Sequence, residues 1–181
     1  MTRSSAERRR RDLLLGEWAC LGVLARGPSH GFEVARQLAA DGEVGRVWTL
    51  TRPLVYHSID QLGERGLVRA VGEEPGVAGG NRTILDVTPE GRAELRTWLS
   101  VPVEHLRDLR SELLLKLVVA DLNGVDARDL LVRQRELVAE RAVAAARLVE
   151  RQPGDVVALW RRASATVASH FLDELLASTS A

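Results

Sequence analysis

The side chains able to do chemistry are four histidines, one cysteine, 25 carboxylates and 24 arginines, and their spacing excludes most of the options. His30, His57, His105 and His170 never stand at i, i+3 or i+4 to one another, and no CxxC accompanies them, so no metal site is expected. Cys20 lies in the apolar run 18–25 with no cation to lower its pKa. It is expected to be buried and inert, and a lone cysteine fits a reducing cytoplasm. The glycines between 76 and 80 lack the Lys-Ser/Thr ending of a phosphate loop, and no nucleophile stands in a motif. Neither an enzyme nor a cofactor protein is expected. What remains is charge, and it is balanced. Residues 1–91 hold 12 arginines against 12 acids, and residues 92–181 hold 12 arginines plus Lys116 against 13 acids. No global field draws such a chain to nucleic acid or membrane. Any DNA contact must come from local placement of arginines.

The elements that would place them are legible from periodicity. Val55, Ile59 and Leu62 fall at i, i+4 and i+7 on one face of a helix begun by Thr51 and Pro53. The opposite face carries Tyr56, His57, Asp60, Gln61 and Glu64. Gly66 ends that helix in a left-handed cap. Residues 67–71 and 82–87 then read as strands around the Gly- and Pro-containing tip GEEPGVAGGN. Helix, turn, strand, loose tip, strand is the outline of a winged helix-turn-helix.

Upstream, a helix is expected over 13–25, with Leu14, Trp18, Leu21 and Leu24 or Ala25 facing a core. A second is expected over His30–Ala40, capped by Ser29, with Phe32, Ala35 and Leu38 inside. Downstream, Thr88-Pro89-Glu90 starts a helix carrying Leu95, Trp98 and Leu99. Further helices fit 106–122, from Asp126 to about Gln152, and from about Asp155 to Ala177. The last carries Val156, Trp160, Ala163, Val167, Phe171 and Leu175 on one stripe. The expected fold is mainly α: a winged helix-turn-helix domain over 1–101 with a two-stranded β-wing, then an all-helical dimerisation region over 104–181. Residues 1–12, polar and Arg-rich, are expected to be flexible. Arg8–Arg11 before Leu13–Leu15 faintly resembles a signal peptide, but Glu17 interrupts the apolar run, and no segment approaches a membrane span. On the long helix, Ala127, Leu131, Val138, Ala142, Ala145 and Val149 make a face suited to a dimer interface. A hairpin folded within one chain is the alternative.

In order and spacing the chain resembles the PadR family of bacterial transcriptional regulators. Leu21-Gly22-Val23-Leu24, Gly27-Pro28 and His30-Gly31-Phe32-Glu33 match its first helices. Val55-Tyr56-His57-Ser58-Ile59-Asp60-Gln61-Leu62 and Glu64-Arg65-Gly66-Leu67 match its recognition helix. Val87-Thr88-Pro89-Glu90-Gly91 matches the close of its wing. The chain departs from the family in having Arg52-Pro53-Leu54-Val55 before the tyrosine, an acid at Asp60, and Phe32 in place of a tyrosine.

The resemblance implies a cytoplasmic, homodimeric repressor on a palindromic operator in double-stranded DNA. Each protomer would set helix 51–65 into a major groove, with half-sites roughly 10 bp apart. It implies DNA contacts from Thr51, Arg52, Tyr56, His57 and Gln61 on the helix and from Asn81 and Arg82 on the wing, with Arg69 along the same face. It also implies a small hydrophobic or aromatic effector, for which Trp98 and Trp160 are the candidates; core packing on their helices is the reading preferred over ligand contact, for Trp160 in particular. A winged-helix module that binds protein rather than DNA is the alternative, favoured by the neutral charge and Asp60.

Overall fold

The computed structural model describes residues 13–76 and 80–178. The expectations for the arginines of 1–12 and for the centre of the wing tip, 77–79, lie outside them. The chain divides into two compact units, Met1–Trp98 with Leu115–Val125, and Leu99–Leu114 with Asp126–Ala181.

The first unit is built on α1 (Leu15–Ala25), whose residues from Gly16 to Leu24 are all buried. A helix apolar on every side has neighbours on every side. Its one acid is turned inward: Glu17 accepts a hydrogen bond from the Leu14 N–H at 2.8 Å and meets Arg65 Nη2 at 3.5 Å. Cys20 is fully buried, and burial pushes its thiol up to about 12, against a hydrogen bond with Ser58 that lowers it. The expected inert thiol is what the structure contains. α3 (Arg52–Glu64) packs on α1 and buries Val55, Ile59 and Leu62, as their spacing predicts. Gly66 follows at φ +71, a conformation cheap only without a Cβ.

Several local expectations need correction, the first being Leu14, which was expected to face the core and is 72% exposed. The second helix, α2 (Gly31–Gln37), is shorter than expected and is capped by His30 rather than Ser29. The His30 Nδ1 accepts the Glu33 N–H at 3.0 Å. Ser29 and His30 instead form a short strand, β1, pairing antiparallel with β3 (Asn81–Val87) at Ser29↔Leu85 and His30↔Ile84. The buried face is made by Gly31, Val34 and the adjoining Leu38 rather than by Phe32, Ala35 and Leu38, and Phe32 is left 43% exposed.

The sheet has the order β1-β3-β2, with β2 spanning Val68–Pro75. The wing is thus longer than expected and gains a third strand. A bulge between Ala70 and Gly72 breaks the β2–β3 register and leaves Val71 exposed. Thr88 caps α4 (Pro89–Ser100): its hydroxyl accepts the Gly91 N–H and donates to the Gly66 carbonyl.

Residues 106–122, expected as one helix, run through a 3-10 turn (Leu106–Asp108) and a π turn (Leu109–Leu113) into α5 (Leu114–Leu122). The extra residue of a π turn shifts the apolar stripe by one position. Leu115, Val119 and Ala120 are therefore buried, while Leu117 and Val118 are only half-buried. The sequence reading put this segment with the C-terminal helices. In the structure, residues of α5 complete the first unit: Lys116 Nζ lies 5.1 Å from the Trp98 ring, and Asn123 Nδ2 donates to the Gly22 carbonyl.

The second unit is a hairpin of α6 (Arg128–Arg151) and α7 (Val156–Ser178), with the segment 99–114 beside it. Asp126 Oδ1 accepts the Arg128 N–H, the expected cap. Leu131, Val138 and Ala145 on α6 and Ala158, Ala165 and Leu172 on α7 are buried at seven-residue intervals. The two series run in opposite order, large to small and small to large, so in the antiparallel hairpin the leucines share one end of the seam and the alanines the other. The small residues that suggested an interface between chains are used here within one chain.

Gln134 is fully buried and bonds Val103 twice, accepting from its N–H at 2.7 Å and donating to its carbonyl at 3.0 Å. Replacing Gln134 with leucine would leave both backbone groups buried and unpaired, at about 1–3 kcal/mol each. A fall of roughly 2–6 kcal/mol in urea-unfolding stability is expected, and a neutral result would mean that water reaches Val103. No helix of the described residues is long and apolar enough to cross a membrane.

Candidate nucleic-acid interface

The sequence His30-Gly31-Phe32 brings the candidate residues together. His30, at the junction of β1 and α2, uses Nδ1 to cap α2. Its Nε2 then faces the wing, 3.3 Å from Arg82 Nη1 and 3.4 Å from Glu74 Oε1. Gly31 has no side chain, and the Tyr56 ring of α3 occupies that space. A Cβ on Gly31 would stand 2.7 Å from the ring edge, so any other residue would displace Tyr56. Phe32 carries two guanidiniums over its ring: Arg52 Cζ lies 4.9 Å and Arg82 Cζ 5.6 Å from its centroid. One arginine comes from the first turn of α3, the other from β3.

The remaining candidates divide. Thr51 is the N-cap of α3, but its hydroxyl makes no capping bond and the residue is exposed. No acid stands in the first turn of α3, so its positive dipole end is not neutralised from within. Tyr56 is 44% exposed, and His57 and Asp60 are exposed beside it. Gln61 is turned along its own helix, donating to Glu64 at 3.1 Å. On the wing, Asn81 donates to Glu73 Oε2 at 2.8 Å, and Arg82 stands opposite Glu74 in the ladder. Arg69 is exposed, opposite Asp86, whose carboxylate is held by Arg92 at 2.9 Å. Hydrogen bonds from Arg36 and Gln37 hold the Glu33 carboxyl down to about 2, so that charge is directed along α2.

The two tryptophans separate. Trp98 is a core residue of the first unit, stacked on Trp18 with centroids 4.8 Å apart and planes 7° from parallel. Trp160 is 72% exposed and lines a groove of about 1150 Å³ within the second unit. Leu113, Leu148 and Phe171 contribute apolar lining to it, and Arg107, Arg110 and Arg161 are among its basic lining residues. Among the described residues no group of three metal-ligating side chains occurs.

Sequence reasoning missed Phe32 and His30 as parts of this surface. The signal was present in the departure at Phe32: an aromatic ring without a hydroxyl, exposed next to arginines, is a stacking surface rather than a hydrogen-bonding one.

Residues 20–97, which run from α1 through most of α4, match the Transcriptional regulator PadR-like family. Over this stretch the chain carries a PadR-like domain. Among solved structures, it is similar to Bacillus subtilis PadR in complex with operator DNA, at 17% identity and a TM-score of 0.46 over 88% of this chain and 97% of that one. A second structure, of Bacillus subtilis PadR, matches at 16% identity and a TM-score of 0.41, over 100% and 99% of the two chains. Comparison with curated proteins gives no match. The PadR-like domain thus holds every candidate DNA contact named from the sequence, from Thr51 to Arg82.

Proposed function

We propose that this PadR-like chain is a homodimeric transcriptional repressor of the cytoplasm that binds a palindromic operator in double-stranded DNA. The observation carrying the proposal is the placement of Arg52 and Arg82 over one ring, inside the domain that defines the family. Two cations from separate elements gathered on an exposed surface are suited to a polyanion. In this reading Arg52 meets a phosphate at the edge of the major groove that Tyr56 faces, and Arg82 meets a minor-groove phosphate. Thr51, His57 and Gln61 flank them on α3, and Asn81 flanks Arg82 on the wing.

The dimer reading is supported by a different face from the one expected. Val156, Trp160 and Val167, at i, i+4 and i+11 on α7, are 75%, 72% and 70% exposed. An apolar stripe of this kind is suited to burial against a second copy. The effector reading is supported by the groove beside Trp160, whose apolar lining and arginines suit a small aromatic or hydrophobic molecule with an anionic group. Trp98, stacked in a core, offers little surface for that role.

The competing reading is a winged-helix module for a protein partner. Asp60 and Glu73 lie exposed near the same surface, with Glu74 beside them, and would suit a basic peptide better than a phosphate. A gel shift on the DNA upstream of the chain's own gene separates the two. The repressor reading predicts a discrete complex that survives competition by unrelated DNA. Competition equal to that by the specific fragment would contradict it.

A further inference from the structure

We propose that Phe32 is a positioning residue for DNA binding: its ring holds Arg52 of the recognition helix and Arg82 of the wing as one preformed cationic fork. The inference rests on the DNA-binding reading above and goes beyond it. It makes the affinity of two arginines depend on a third residue that touches no DNA.

The geometry points to this in four steps. Both guanidiniums lie within cation–π range of the ring, at 4.9 and 5.6 Å from its centroid. Among the described residues no carboxylate forms an ion pair with either arginine, so the ring is the contact they share. His30 is fixed by its capping bond to Glu33, which leaves the ring proton on Nε2 facing Glu74, so the Nε2 that lies 3.3 Å from Arg82 offers that guanidinium no acceptor in place of the ring. Finally, Phe32 is 43% exposed, although the helix it belongs to buries its other large apolar residues, Val34 and the adjoining Leu38. A half-exposed phenyl ring adds little to the core. Over two arginines it has a use.

The physical consequence concerns entropy and repulsion. An exposed arginine samples many rotamers and loses that freedom on binding a phosphate. Two arginines near one another also repel, and in water each would drift away from the other. The negative face of the ring offsets that repulsion and limits both side chains before DNA arrives. The recognition helix and the wing then present their charges together. The wing becomes coupled to the helix through a side chain, beyond the connection through strand β2.

A mutant cycle tests this in the full-length chain. Phe32→Leu keeps an apolar side chain and removes the π-face, and Phe32→Tyr keeps the face. In the otherwise unchanged protein, Phe32→Leu is expected to weaken binding about fivefold per half-site, and Phe32→Tyr to bind within twofold of the original. In a background lacking both arginines (Arg52→Ala with Arg82→Ala), Phe32→Leu should have no further effect, which a merely structural role for Phe32 would not produce. A second measurement needs no DNA. The side-chain NεH resonances of Arg52 and Arg82 should be displaced by the ring current in the free protein and return toward the positions of ordinary exposed arginines in Phe32→Leu. An equal loss of affinity in both backgrounds, no loss in either, or undisplaced arginine resonances would overturn the proposal while leaving DNA binding intact. If the unaltered protein bound no DNA while the resonances were displaced, the DNA reading would be overturned. The proposed role of Phe32 in binding would fall with it, and the contact would stand as a structural one.

Discussion

Replacing Arg52 and Arg82 together with alanine is expected to weaken operator binding by about two to three orders of magnitude. The estimate takes a dimer that loses four guanidiniums at roughly 0.7–1 kcal/mol each, and 1.4 kcal/mol is a factor of ten. The fold should be untouched. Arg52 is exposed, Arg82 is half-buried among polar groups, and neither contributes to the core under α3. Circular dichroism of the double variant should therefore match that of the parent. The salt dependence should also flatten, because each lost phosphate contact removes about 0.9 from the slope of log K against log salt. An unchanged affinity with intact helicity would show that α3 does not present this face to DNA.

The second large effect contrasts two valines of the helical unit. Val138 is 1% exposed, within the seam between α6 and α7, whereas Val167 is 70% exposed on α7. Glutamate at 138 would bury a charge with no partner near it, which costs several kcal/mol or forces the hairpin open. Val138→Glu should lower the melting temperature by about 10 °C or more, at roughly 2–4 °C per kcal/mol for a chain of this size. Val167→Glu should leave melting of the monomer unchanged and instead shift the sedimenting species from dimer to monomer. The sequence alone pointed to Val138 as the interface position, and the hairpin reverses that assignment. If Val167→Glu sedimented as a dimer, the interface would have to lie on another face.

What could be read from the sequence was whatever has a short-range signature. The spacing of Val55, Ile59 and Leu62, the glycine at 66 and the Thr88 cap are each complete within a few residues, and each is where it was expected. The β1 strand has no such signature. Ser29 and His30 are two residues whose strand partners stand more than 50 positions away, so nothing local announces the pairing. Histidine is also not a typical cap, and its use at position 30 depends on that same pairing.

The C-terminal half illustrates a different limit. Helices α6 and α7 carry apolar residues on more than one face, and the sequence does not say which face meets its own chain and which is left over. Val138 and Ala145 are turned inward, while Val156, Trp160 and Val167 are not. Helix spacing identifies stripes, but it does not identify their partners. At the candidate interface, Arg52 and Tyr56 on the helix and Arg82 on the wing strand stand on the elements where the sequence puts them. The contact that gathers two of them, through Phe32, was not legible in the sequence, because Phe32, Ala35 and Leu38 fit an inward helix face as well as Gly31, Val34 and Leu38 do.

The most direct test of DNA binding is an anisotropy titration of the full-length protein on a labelled fragment from upstream of its own gene, repeated across a range of salt concentrations. With Arg52 and Arg82 contributing from two protomers, log K should fall linearly with log salt with a slope of about −3.6 or steeper, for at least four phosphate contacts. A flat dependence, or no complex at the lowest salt, would contradict the account and leave the winged helix to a protein partner.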